Sequence, residues 1–354
     1  MPVFLKHNPV AVRKGKVIVV GGGIMGASAA WHLSKAGASV TLIERAPDCL
    51  ISATACSFGW VGASASTPSD NQAAFAERLK ALEEFAYIEH ELSPLPIAAR
   101  GALLWRSTED ETAAMIAEHR AAGTRIERLT RSQIAEKEPT ISNPPSLAAW
   151  APSDFALEAG VLARQLRAGA QAAGACVRRG TVQAVNAAGN RITGIVVDGE
   201  EFPADIVVLA NGYRSRALAL TVGVDLPIYE SPAVLLRFGT EVAGLRHLVC
   251  AEEMELRPSL GGGLVSAADY PDCGETGLPA LAAQTGNAIS RLFGTAAAPF
   301  LLSITAAMRP MTTDSKPLCG QVGRIEGLFA LVGHPGVILA PLLARRCAEA
   351  VLRS

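Results

Sequence analysis

Residues 17–45 read VIVVGGGIMGASAAWHLSKAGASVTLIER. The run 17–20 is β-branched and too short for a helix, which predicts a buried parallel strand. It leads directly into Gly21, Gly23 and Gly26, a G-x-G-x-x-G spacing. In such a turn the first glycine permits the tight bend, the second admits a pyrophosphate to the backbone, and the third lets the helix pack on the strand. The helix predicted over 24–36 starts at Ile24 and Met25 and aims the positive end of its dipole at the phosphates. Gly37 is a natural stop. A second parallel strand over 40–43 ends at Glu44, followed by Arg45. A carboxylate there accepts hydrogen bonds from a ribose 2′-OH and repels a 2′-phosphate. A lone glycine motif is weak, but strand, helix, second strand and acid together predict a bound dinucleotide.

The length of 354 residues suits about two domains. With 49% apolar and 18% charged residues, the chain reads as globular with a sizeable core. A formal charge of −1 gives no electrostatic basis for binding nucleic acid or an anionic membrane. Cysteines at 49, 56, 176, 250, 273, 319 and 347 form no C-x-x-C, which predicts reduced thiols in a cytoplasmic protein and no metal site. The most apolar late stretch, 328–344, is broken by His334, Pro335 and Pro341, so no membrane span is expected.

Outward from the glycine motif, residues 46–66 are rich in small side chains, Ser57 among them. Such a loop either lines an extended cofactor or is an ordinary Ala/Ser-rich connection. Helices are expected over 71–92, 109–122, 132–137, 158–173 and 278–293, and strands over 101–106, 176–179, 181–186 and 191–197. A buried strand over 206–209 runs into Ala210, Asn211 and Gly212, where glycine serves close cofactor approach or a plain turn. Later strands are expected over 255–258, 264–267, 301–308 and 328–332, with a closing helix over 338–352 that holds Pro341 in its first turn. The fold class predicted is α/β: a discontinuous Rossmann-type dinucleotide domain (1–66, 151–217, 305–354). An antiparallel-sheet α+β substrate domain (67–150, 218–304) is inserted into it.

The motif order resembles the FAD-dependent amino-acid and amine oxidoreductases of the D-amino-acid oxidase superfamily, of glycine oxidase and sarcosine oxidase type. The resemblance rests on the 17–45 motif with Glu44-Arg45, ADIVVLANG at 204–212, MRPMTTDSKPLCG at 308–320 and GLFALVGHPGVILAP at 327–341. It implies bound FAD and oxidation of a C–N bond beside a carboxylate, by hydride transfer to flavin N5. The arginine of the R-P-x-T pattern, Arg309 here, would pair with the substrate carboxylate. Residues 333–338 would lie beside the flavin pyrimidine. Sarcosine oxidases tether flavin through a cysteine before this pattern; Ala307 stands there, so the resemblance implies non-covalent FAD. The partners implied are an amino acid or amine substrate and an electron acceptor the motifs do not specify, with room for an oligomer or a subunit of a larger dehydrogenase. A nicotinamide-dependent dehydrogenase, or a flavin-binding homologue without turnover, are the alternatives.

The residues themselves support roles of different weight. Arg309 precedes Pro310, which pushes its backbone to an extended form and predicts a strand exit at a ligand-binding sheet edge. Its planar fork suits a carboxylate, or it is solvated or paired with Asp314. Asp314 and Lys316 are expected to shape a turn. The N–H groups of Gly336, Val337 and Ile338 open a helix and suit the negative charge of reduced flavin. His334 is either structural or a flavin contact. Tyr229, Asp269 and Tyr270 are candidates to cap the substrate amine, against plain packing.

Overall fold

The computed structural model describes residues 15–46, 51–92, 94–239 and 244–354. Residues 47–50 of the small-residue loop, with Cys49, lie outside this set. The first sheet has six strands in the order Leu318–Gln321, Leu328–Val332, Ile206–Leu209, Lys16–Val20, Ser39–Glu44, Cys176–Arg179. All neighbours are parallel except the first pair. The central strands are buried on both faces, which is why they read as unbroken apolar runs. Val17 and Val19 face the helices Ile24–Lys35, Ala159–Ala172 and Gly336–Arg353. Ile18 and Val20 face the small antiparallel sheet formed by Val182–Ala188, Arg191–Val197 and Glu200–Pro203. This is the predicted Rossmann-type layering.

The second sheet follows the path Leu301–Thr312, Ile228–Phe238, Leu264–Asp269, Met254–Pro258, Leu248–Ala251, Ile97–Leu104, Leu147–Leu157, Trp60–Val61. It is antiparallel apart from Leu248–Ala251 beside Ile97–Leu104. One face carries Val234, Leu236 and Leu256 against Ile289 and Phe293 of the helix Leu278–Phe293. The other carries Leu235, Val265, Leu104 and Ala156 against Phe58 and Trp60 of the small-residue loop. Sheet membership crosses the expected segment ends: Trp60–Val61 belongs to this sheet, as do the whole of Leu147–Leu157 and Leu301–Thr312.

Two expectations are corrected. The strand expected to end at residue 308 continues to Thr312, so Arg309 is not at a strand exit or at the edge of the parallel sheet. It lies opposite Ser231 within the antiparallel sheet. Proline is tolerated there because Leu301–Thr312 is an edge strand, and the missing N–H of Pro310 leaves no ladder bond unmade. The closing helix begins at Gly336, which puts Pro341 inside it and beyond the first turn. The N–H that Pro341 lacks would have bonded the Val337 carbonyl. Among the described residues no helix is long and apolar enough to cross a membrane.

Candidate functional site

The glycine turn is built against the protein's own backbone. Gly21 adopts φ +98°, and its N–H bonds Ile43 O at 2.8 Å. A Cβ on Gly21 would stand 2.7 Å from Asn211 Cα, and one on Gly26 would stand 1.9 Å from Gly21 O. Gly26 also abuts the Ala210 side chain, so Ala210 supports the turn from below. A Cβ on Gly23 would meet only Thr54 Oγ1, at 3.0 Å. The outer side of Gly23 is therefore free of backbone, as close approach by a pyrophosphate requires.

At the start of the Ile24–Lys35 helix, Ile24 N–H donates to Thr54 Oγ1 at 3.0 Å. The first turn contains no acidic residue, and Met25 and Gly26 have no side-chain acceptor among the described residues. These are open donors at a positive helix end, and they fit the phosphates of a dinucleotide. Glu44 Oε2 accepts Gly22 N–H at 2.5 Å and its Oε1 accepts Ala46 N–H at 2.9 Å. Each oxygen keeps a lone pair for a ribose hydroxyl. Arg45 is exposed. Ser57 Oγ is taken up by Gly59 N–H at 3.1 Å, a local turn contact. Gly212 adopts φ +66° with open space around it, a turn position.

Sequence reading missed two residues of this end. Thr54 reaches the helix from thirty residues away. Arg167 donates from Nη1 to Gly22 O at 2.7 Å, pinning the turn from the Ala159–Ala172 helix. Its signal was available: it sits in the stripe Leu162, Ala163, Leu166, Ala170, where a cation is out of place.

The other end is formed by the antiparallel sheet. Cross-strand partners share a face, so Arg309 lies with Ser231, and Tyr229 with Met311 two residues on. Asp269 is on that face too, through Ala233. Arg309 Nη2 donates to Ser231 Oγ at 3.0 Å, Pro232 O at 3.3 Å and Asp269 Oδ1 at 3.1 Å. Its Nε is buried without a partner. A buried donor left unmade is costly, and the planar fork here is half used. Asp314 Oδ1 accepts Lys316 N–H at 3.1 Å and so shapes its own turn, not Arg309. Tyr229 is half exposed on the Arg309 face, whereas Tyr270 packs against the core of the opposite face.

His334 precedes the Gly336–Arg353 helix, whose first residues Val337 and Ile338 are buried. It is exposed to solvent, yet protein atoms crowd around its ring. Burial first, then the charges of Arg309 and Arg78, push its pKa down to about 4. His334 is therefore neutral at pH 7. Arg78 on the Gln72–Leu92 helix and Asp154 on Leu147–Leu157 were also missed from sequence. Asp154 Oδ2 accepts Trp60 Nε1 at 2.8 Å, Ser64 Oγ at 2.5 Å and Ser64 N at 3.2 Å, which ties the small-residue loop to the larger sheet. Burial pushes the Asp154 carboxyl up.

Comparison with known proteins gives the family and the fold. The DAO family, described as FAD dependent oxidoreductase, matches residues 16–350. Glycine oxidase of Geobacillus kaustophilus (strain HTA426) is 26% identical, covering 95% of this chain and 93% of that protein. D-amino acid dehydrogenase of Neisseria meningitidis serogroup C is 26% identical, covering 90% and 91%. The crystal structure of glycine oxidase from Geobacillus kaustophilus superposes with a TM-score of 0.81 at 23% identity, over 96% of this chain and 95% of that one. That last likeness is one of fold.

Proposed function

The chain belongs to the DAO family of FAD-dependent oxidoreductases, and on that premise we propose that it oxidises the C–N bond of an amino acid or N-substituted amino acid to an imine. The observation that carries this reading is Arg309: a cation on the site face of the sheet, with a buried unpartnered Nε and an ion pair to the exposed Asp269. The substrate carboxylate takes the unused side of the guanidinium. Ser231 and Pro232 O hold Nη2, so the fork is oriented before substrate arrives. Neutral His334 adds no charge beside the substrate nitrogen, and Tyr229 borders the same face. Asp269 is the exchangeable partner that leaves Arg309 when the carboxylate binds.

Glu44, Gly23, Met25 and Gly26 would hold the dinucleotide, and the Gly336–Ile338 helix start would offer its N–H groups to negative charge on the flavin. Bound there, FAD would supply the two-electron acceptor for oxidation of the carbon beside the nitrogen, with the amine proton passing to water and the imine open to hydrolysis. We infer that the FAD is non-covalent. Ala307 offers no tether, and Cys319 is an inert thiol: its Sγ donates to Leu343 O at 3.2 Å, and burial pushes its pKa up to about 11. A cytoplasmic location accords with the six described cysteines, all free. The test is the visible spectrum of the purified protein before and after anaerobic addition of amino acids. Bleaching by at least one amino acid or N-substituted amino acid is expected. Bleaching only by amines that lack a carboxylate contradicts the reading.

A further inference from the structure

The face of the antiparallel sheet that carries Arg309 also carries Glu255. Glu255 stands opposite Ala267 on the neighbouring strand, and Ala267 stands opposite Leu235. Leu235 alternates with Ala233 and Ser231, the partner of Arg309, so Glu255 and Arg309 look the same way. Asp269 lies two residues beyond Ala267, which makes it the diagonal neighbour of Glu255, about 7–8 Å away. Arg309, Asp269 and Glu255 thus form one line: the first two meet at 3.1 Å, and the third follows across one diagonal step. The floor beneath them is Ala233, Ala267 and Ala307, all partly open to solvent. Alanine is a poor strand former, and its short side chain leaves room here above the sheet.

Glu255 is half-buried, yet no hydrogen bond or ion pair to its carboxylate is found among the described residues. The neighbouring cations are committed elsewhere. Arg257, two residues on, donates from Nε to Phe58 O at 2.5 Å and from Nη1 to Glu158 Oε1 and Pro258 O, both at 2.9 Å. Arg237 Nη2 stands 3.5 Å from Glu158 Oε2. Arg106 bonds Cys250, the other cross-strand partner of Glu255. Burial first, then the charge of Asp269, pushes the Glu255 carboxyl up. A half-buried carboxylate without a cation is an incomplete arrangement. Once a substrate carboxylate takes Arg309, the line is left with two acids and no cation of its own.

We propose that Glu255 binds a cationic side-chain group of the substrate, an ammonium or guanidinium, and that the substrate is a basic amino acid held at its other end by Arg309. The proposal rests on the reading of Arg309 above and deepens it. The span fits. An extended chain advances about 1.2 Å per bond, so the roughly six bonds from the carboxylate carbon of a lysine-like molecule to its side-chain nitrogen cover about 7 Å. Its methylenes lie on the alanine floor, out of water.

The test uses the oxidised holoprotein and needs no turnover. 5-Guanidinopentanoate and 6-aminohexanoate are titrated against pentanoate and hexanoate, with calorimetry as readout. The cationic acids are expected to bind at least about tenfold more tightly than the plain carboxylates. In Glu255→Gln that margin falls to within about twofold, and Glu255→Asp retains part of it. Equal affinity for both classes in the unsubstituted protein, the result expected of a protonated Glu255, overturns the proposal even should the variants fail to fold. A margin that survives Glu255→Gln also overturns it, by placing the cation on another acid such as Asp269. An amino-acid panel separates the two readings. Fastest flavin reduction by amino acids with an ammonium or guanidinium side chain supports this one. Faster reduction by neutral or acidic amino acids overturns it and leaves the proposed function standing. Tighter binding of the cationic acids without reduction by any amino acid keeps Glu255 as the cation's partner and removes the proposed function instead.

Discussion

Asp269 Oδ1 stands 3.1 Å from Arg309 Nη2, joining two strands that Ile228–Phe238 separates in the sheet. The aspartate side chain is 87% exposed and the arginine side chain 31%. The pair is thus unequal: one partner is held in place and the other is free to swing into water. An exposed ion pair of this kind contributes about 0–1 kcal/mol. Displacing it costs an incoming carboxylate little.

Asp269→Asn should therefore tighten binding of simple carboxylates about two- to fivefold and leave the melting temperature nearly unchanged. Titration of the oxidised protein with acetate or benzoate reads this directly. Should Asp269 instead cap the substrate amine, carboxylates without nitrogen would bind unchanged while amino acids bind more weakly.

Arg309→Ala leaves a substrate carboxylate without its partner, a loss of about 2–5 kcal/mol. That corresponds to roughly 1.5 to 3.5 decades in flavin reduction at low substrate. Arg309→Lys should recover only part of it, since it keeps the charge without the fork. An amine without a carboxylate should be nearly indifferent to either change. An equal loss for carboxylate-bearing and carboxylate-free substrates would refute the assignment.

Glu44→Ala removes a ribose acceptor and also frees Gly22 N–H and Ala46 N–H, so the glycine turn should loosen as FAD affinity falls. Hydrogen bonds to a charged group are worth about 1.5–3 kcal/mol, or roughly ten- to a hundredfold in affinity. Glu44→Gln should lie between, because one backbone N–H then meets an amide N–H₂. Apoprotein titration with FAD gives the constants; an unchanged value removes Glu44 from the ribose.

His334 supplies a pH test. Its folded pKa, about 4, lies below the ordinary 6.5. Above pH 6.5 the folded and unfolded chains are both neutral there, so the contribution to stability is fully present. As pH falls from 6.5 towards 4, the unfolded chain takes up a proton that the folded chain refuses, and this contribution is lost. In the folded protein the His334 ring signals should stay flat from about pH 8 to 5 by NMR. A titration step near pH 6.5 would show that His334 is ordinary and solvated.

Asp154→Ala orphans Trp60 Nε1, Ser64 N and Ser64 Oγ at a buried position. Each unmade donor costs about 1–3 kcal/mol, so a loss of roughly 3–5 kcal/mol is expected. Thermal unfolding measures it, and Trp60 fluorescence reports whether the loop has detached.

Local pattern and periodicity carried the parallel sheet into view. Val17–Val20, the glycine spacing and Glu44 are contiguous, and Leu278–Phe293 and Leu328–Val332 have the bounds their spacing predicts. Arg309 was legible as a residue but misplaced, because proline looked like the end of a strand when only an interior strand would forbid it. Pro341 misled in the opposite direction, since the helix around it is held by packing of Val337, Leu339 and Leu343. The contacts made by Thr54, Arg167 and Asp154 were invisible for a different reason, although Arg167 itself stands out in its apolar stripe. Their partners lie 30, 145 and 94 or 90 residues away. No local signal encodes such a meeting.

The glycines at 23 and 26 differ in what stands opposite them, and this separates two kinds of genetic lesion. A methyl at position 26 would strike Gly21 O at 1.9 Å, inside the empty polypeptide itself. Such a chain is damaged before any cofactor arrives, and riboflavin feeding cannot restore it. A methyl at position 23 meets only the Thr54 hydroxyl, which can move aside. That chain folds and then competes poorly for FAD, so raising the flavin supply rescues it.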